Sequence, residues 1–183
     1  AFQTATIWLG AGFWLVAAPL WLALGWRLTQ HGVRAATGVV VLLPCWAALG
    51  LLRDAHVGVL LGVLALVWLA DSVAYFAGRA FARNKLAPAI SPGKTWEGVA
   101  GAFVGVMAYI AAVSALLDAQ PLPALFVVAA ALVYFSVLGD LFESWIKRVA
   151  GIKDSSRLLP GHGGVLDRID ALLPVLPAAM ALM

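Results

Sequence analysis

Eight charged residues crowd into positions 147–170 of a sequence that is otherwise 63% hydrophobic and only 11% charged. They are Lys147, Arg148, Lys153, Asp154, Arg157, Asp167, Arg168 and Asp170, and Pro160-Gly161-His162-Gly163-Gly164 runs between them. Glycines let backbone N–H groups approach an anion closely, here from Gly163 and Gly164 among others. Lys147, Arg148, Lys153 and Arg168 can neutralise phosphate charge. Asp167 and Asp170, three residues apart, share a face if a helix starts there; acids at a helix N-terminus are favourable in any case, which alone accounts for them. Together with Asp140 they offer hard oxygen ligands to a cation such as Mg²⁺, which takes one or two carboxylates and leaves other positions to phosphates. His162 reads as a structural or hydrogen-bonding residue.

A second face carries related chemistry. If the helix before this stretch continues past Asp140, then Asp140, Glu143, Ser144 and Lys147 stack at three- and four-residue spacing. An ordinary salt-bridge ladder at a helix end gives the same pattern. Upstream, Gly93-Lys94-Thr95 resembles the end of a P-loop, but Pro88 stands where that pattern needs glycine and no βαβ unit surrounds it. Lys94 is left in a basic, hydroxyl-bearing loop that serves either a phosphate or anionic head groups. Asp71 sits near the end of another apolar run, as a metal neighbour or a partner for a basic side chain.

The elements that must hold these residues are apolar. Soluble domains carry about 25% charged residues, so the composition is that of an integral membrane protein. Uncharged or nearly uncharged runs cover 5–26, 35–52, 57–77, 98–117, 122–139 and an incomplete 169–183. They predict an all-α polytopic integral membrane helix bundle of about six transmembrane helices, forming one catalytic domain over 1–183. The opening without Met and the apolar end read as a piece of a longer chain. Lys/Arg residues number 2, 4 and 5 in the loops 27–34, 78–97 and 140–168, whereas the alternate loops hold only Arg53. Lysine and arginine mark the cytoplasmic side, so both long polar loops are expected to face the cytoplasm. Trp26, Trp96 and Trp145 fall near that boundary and suit an aromatic belt.

Ser144-x-x-Lys147-Arg148, Lys153-Asp154, Pro160-Gly161-His162-Gly163-Gly164 and Asp167-Arg168-x-Asp170, at their spacings over 144–170, resemble the signature of the phosphatidate cytidylyltransferases, also called CDP-diacylglycerol synthases. Residues 71–79 and 90–98 resemble two further stretches of that family. The resemblance implies a Mg²⁺-dependent transfer of the cytidylyl group of CTP to phosphatidic acid, giving CDP-diacylglycerol and pyrophosphate, with room for a second cation. It implies a cation centre at Asp140, Asp167 and Asp170. It also implies that the basic signature residues serve the phosphates, with Lys153 as a further catalytic candidate. Ser144, Lys147, Arg148, Arg168, Lys94, Gly163 and Gly164 are the expected substrate-binding residues. The partners expected are CTP and phosphatidic acid in a bacterial inner membrane, with no nucleic acid and with a homodimer left open. A CTP-dependent lipid kinase of the polyprenol type uses similar parts but attacks the γ-phosphorus with a neutral hydroxyl. A transporter has no need of such a loop, and no internal repeat is visible.

Overall fold

The computed structural model describes residues 2–24, 33–118, 123–156 and 164–182. Helix α1 (Phe2–Gly12) passes through a π-helical turn (Phe13–Ala17) into α2 (Ala18–Leu24); α3 (Val33–Ala55) and α4 (Val57–Phe81) follow. A hairpin of β1 (Lys85–Ala87) and β2 (Ser91–Thr95) leads into α5 (Trp96–Leu116) and α6 (Pro123–Val149). The four-residue α7 (Leu166–Ile169) and α8 (Leu172–Leu182) close the described chain.

Among the described residues, five segments are long and apolar enough to cross a bilayer: Thr4–Leu22, Thr37–Ala55, Val57–Phe81, Trp96–Leu116 and Pro123–Val149. Their outward faces carry large apolar side chains such as Leu9, Trp46, Trp68 and Val104, all well exposed. That surface suits lipid rather than water, since a helix satisfies its own backbone polar groups within hydrocarbon. The chain is therefore an all-α polytopic membrane bundle.

Three features refine the expected layout. The run expected over 169–183 forms α8, in which Leu173 to Ala179 are all buried, and it packs against α1, α3 and α6. The fifth run, expected to give way near 139, continues as helix to Val149. The expected loop 78–97 contains an antiparallel hairpin, Lys85 opposite Thr95 and Ala87 opposite Ser91. Pro92 is tolerated in β2 because a two-stranded sheet leaves each strand one open edge.

Close helix contacts need small residues. A Cβ on Gly101 of α5 would stand 2.5 Å from the Ala77 Cβ of α4, so glycine is what lets these two helices meet. On α6, a Cβ on Gly139 would lie 2.6 Å from the Asp170 carbonyl oxygen and 2.7 Å from Pro174 Cδ. Gly139 thereby admits the start of α8 against α6, immediately beside Asp140. Trp145, expected in a lipid-facing belt, is 5% exposed. It packs against Phe142 and Trp21 because α6 turns that face inward.

Candidate active site

Where α4, the hairpin, α5, α6 and the segment around α7 converge, they enclose a cavity of about 650 Å³. That is within the usual range for small-molecule sites. Its wall carries four carboxylates, Asp71, Asp140, Asp167 and Asp170, and four cations, Arg79, Lys85, Lys94 and Lys147. Each element supplies its share for a local reason. On α4, Asp71, Ala74, Tyr75, Gly78 and Arg79 recur every three or four residues, so one face of the helix forms a wall. Thr95 ends the hairpin and caps α5, its hydroxyl accepting from the Gly98 N–H at 3.1 Å. Glu97 in the first turn of α5 accepts from the Asn84 backbone N–H at 3.1 Å and from its Nδ2 at 3.0 Å. Those bonds fix the base of the hairpin that presents Lys94.

Lys94 reaches across to α6 and pairs with the half-buried Asp140. Two turns further along α6, Lys147 is held between two carboxylates: Glu143 Oε2 at 2.5 Å on its own helix and Asp167 Oδ1 at 2.8 Å from α7. Glu143 is 4% exposed and is paired with Lys147. Asp167 is, by contrast, crowded with donors. Besides Lys147, it accepts from the Ser155 N–H at 3.0 Å, the Ser155 hydroxyl at 2.8 Å and the Gly164 N–H at 2.6 Å. Burial alone would push the Asp167 carboxyl up; Lys147, the Gly164 N–H, Glu143 and Ser155 outweigh it and hold it well below the usual carboxylate range.

Asp170 behaves in the opposite way. Burial and then the charge of Asp140 push its carboxyl up to about 7, with Asp71 acting in the same sense and the Ala171 N–H and Lys94 against it. Asp71, Asp140 and Asp170 thus feel one another across a single cavity. Among the described residues, no three acidic, histidine or cysteine side chains form a ready-made ligand cage. The donor set fits an ion that takes one or two carboxylate oxygens and completes its shell with water and phosphate, which is the habit of Mg²⁺. Asp140 and Asp170, close enough for the charge of one to act on the other, would be the carboxylates to hold such an ion.

The expected site residues divide accordingly. Asp140, Asp167, Asp170, Lys147 and Lys94 line the cavity. Gly164 directs its N–H to Asp167 rather than into the open space. Ser144 is half-buried on α6, away from the cavity wall, and Lys153 and Arg168 lie on the exposed surface outside it. Arg148 is also exposed, and its Nε donates to the Ile90 carbonyl at 3.2 Å, tying the tip of the hairpin to α6. Gly163, like Arg157 and His162, lies outside the described residues. Sequence reasoning did not put Arg79, Lys85, Tyr75 or Ser155 in the site. The four-residue spacing of Asp71, Tyr75 and Arg79 was the available signal for the α4 wall; nothing local marks Ser155 as an Asp167 donor.

The model of the cytidylyltransferase family matches residues 1–183. The phosphatidate cytidylyltransferase of Pseudomonas aeruginosa is 44% identical over 186 residues, covering 98% of this chain and 69% of that protein. That of Haemophilus influenzae is 52% identical over 123 residues, covering 64% of this chain and 43% of that protein. That of Bacillus subtilis is 44% identical over 113 residues, covering 61% and 42%, respectively.

Proposed function

The chain belongs to the cytidylyltransferase family, and from that premise we propose that it transfers the cytidylyl group of CTP to phosphatidic acid, releasing pyrophosphate. The observation that carries this reading is the mixed-charge cavity set at the ends of apolar helices, with carboxylates and cations contributed from α4, the hairpin, α6 and α7. Two polyanions must meet in such a reaction. A wall of paired cations and carboxylates beside a lipid-facing surface is what brings them together.

A phosphate oxygen of the lipid attacks the α-phosphorus of CTP; the bond from that phosphorus to the bridging oxygen breaks, and pyrophosphate leaves with the electron pair. A phosphomonoester has a second pKa of about 6, so the nucleophile is already largely ionised at neutral pH and needs no strong base. The barrier lies in repulsion and alignment. Asp140 and Asp170 would hold Mg²⁺, which supplies charge neutralisation to the phosphates and the leaving pyrophosphate. Lys94, which pairs with Asp140, would have its charge available to the triphosphate were Asp140 to hold the ion. Lys147 is kept at the cavity wall by Glu143 and Asp167. Asp167, given a cation role by the resemblance, instead ties Ser155 and Gly164 to Lys147 of α6 in this reading, because its oxygens are already taken by these three residues. Arg148 serves by steadying the hairpin.

The surplus of Lys/Arg in the hairpin and signature loops supports a site on the cytoplasmic side of an inner membrane, where CTP is available. CTP and phosphatidic acid are then the partners. A homodimer is a further candidate assembly, to be read from the mass of the protein in nanodiscs. The test of the activity supplies CTP labelled in turn at the α- and the γ-phosphorus, with Mg²⁺ and phosphatidic acid, to membranes bearing the protein. Label reaching lipid from the α-position alone is the expected result. Label from the γ-position alone means a lipid kinase.

A further inference from the structure

The charges on the cavity wall do not pair off evenly. Lys147 is taken by Glu143 and Asp167, and Lys94 by Asp140. Arg79 and Lys85 meet no carboxylate among the described residues. The single side-chain partner of Arg79 there is the Tyr75 hydroxyl, one turn back on α4, which accepts from a terminal guanidinium nitrogen at 3.1 Å. That bond aims the guanidinium fork while leaving its remaining donors open. At the other end of the same helical wall stands Asp71, facing Asp140 and Asp170. Eight residues of helix separate Arg79 from Asp71, a rise of about 12 Å. The cavity therefore has a basic end with two uncompensated cations and an acidic end suited to a metal ion.

The basic end also has a particular depth. Tyr75 on α4 is 59% exposed, and Trp96 at the foot of the hairpin is 58% exposed. Tyrosine and tryptophan rings displayed at the end of an apolar helix belong at the level of lipid head groups. An anion arriving at Arg79 and Lys85 can thus come from the bilayer, with its apolar remainder left among these rings.

We infer that Arg79 and Lys85 seat the phosphate monoester of the lipid acceptor, with Tyr75 aiming Arg79. This rests on the transferase reading above and assigns its acceptor site to residues outside the 144–170 signature. Arginine suits the role because its fork matches two oxygens of one phosphate. The triphosphate of CTP offers the same chemistry, and the kinetics must separate the two sources.

The experiment compares wild type with Arg79→Gln, Lys85→Gln and Tyr75→Phe, the whole protein being reconstituted in nanodiscs, and varies phosphatidate and CTP separately. Losing a charge-assisted contact is expected to raise the KM for phosphatidate about tenfold or more in the first two variants, and a few-fold in Tyr75→Phe, with the KM for CTP held within about twofold. A preserved KM for CTP also certifies folding; should Arg79→Gln fail to insert, the other two variants decide. Dihexanoyl phosphatidate in detergent should show the same factor, because the phosphate and not the bilayer is being read. A rise in the KM for CTP, alone or in equal measure, overturns the assignment in favour of the triphosphate. An effect on bilayer phosphatidate that vanishes with the dihexanoyl form overturns it too, in favour of general attraction to an anionic surface. Unchanged KM values beside normal wild-type transfer strike this inference alone; no transfer by wild type strikes the activity itself.

Discussion

Lys147 donates to Asp167 Oδ1 across 2.8 Å, joining the last turns of α6 to the short α7. Because the same carboxylate also receives Ser155 and Gly164, one side chain holds these two residues and a cavity cation of α6 together. Asp167→Asn would place an amide N–H₂ against one of these donors. Breaking a largely buried charge pair costs about 3–5 kcal/mol, so cytidylyl transfer should fall by at least about a hundredfold. Membrane insertion should survive, as the apolar helices do not depend on this contact; carbonate extraction beside an activity assay checks both.

Arg148 acts at a distance from the cavity. With its Nε on the Ile90 carbonyl, it anchors the hairpin that carries Lys94. Arg148→Lys keeps the charge and removes the Nε–H, so it should still loosen the hairpin. Faster amide exchange through residues 85–95 and a fall in rate of about five- to tenfold, in proportion to one lost hydrogen bond, are the expected outcomes. Unchanged exchange with a raised KM for CTP would instead make Arg148 a direct phosphate ligand.

Gly139→Ala tests how the proposed metal-binding end is assembled. The added methyl would meet the Asp170 carbonyl and Pro174 at under 3 Å, and overpacking of this kind costs about 1–3 kcal/mol. A lower midpoint of thermal unfolding, together with a higher Mg²⁺ requirement, is expected because Asp170 must move away from Asp140. Lower stability with an unaltered Mg²⁺ requirement would separate the packing from the site.

The pH dependence of the cation requirement follows from Asp170. Burial and the nearby Asp140 raise its carboxyl to about 7 in the cation-free protein. Below that pH the proton occupies a carboxylate that the ion needs, and above it the carboxylate is free. The Mg²⁺ concentration for half-maximal rate should therefore climb as pH falls below 7, approaching about tenfold per unit for one displaced proton, and level off above. Asp170→Asn should flatten this dependence.

Much of this arrangement was readable without coordinates, and the reasons are local. Long uncharged runs announce membrane helices through composition alone. The i, i+3, i+4, i+7 series Asp140, Glu143, Ser144 and Lys147 predicted a shared face once the helix was allowed to run past Asp140, and α6 does so. Ser144 nonetheless stays off the cavity wall, because a helical face is broader than the opening it borders. What periodicity could not reveal was which charges cancel. The Lys94–Asp140 pair joins residues 46 positions apart through a hairpin that has no strand-like alternation in Ser91-Pro92-Gly93-Lys94-Thr95. Glu143 looked like a rung of a surface ladder, yet it is buried because Phe142 and Trp145 turn inward around it. Arg79 and Lys85 counted only toward the charge of their loop until α4 was seen to form a wall of the cavity.

The account depends on Asp140 and Asp170, from different elements, serving one reaction in one cavity. The direct measurement is transfer of label from α-labelled CTP to phosphatidate by the whole protein in nanodiscs, for wild type, Asp140→Asn and Asp170→Asn, over a series of Mg²⁺ concentrations. Wild type should label the lipid only when Mg²⁺ is present, and each variant should fall by about a hundredfold or more, as loss of a group that stabilises developing charge does, while remaining in the membrane. Transfer at wild-type rate by either variant, with its Mg²⁺ requirement unaltered, would contradict it.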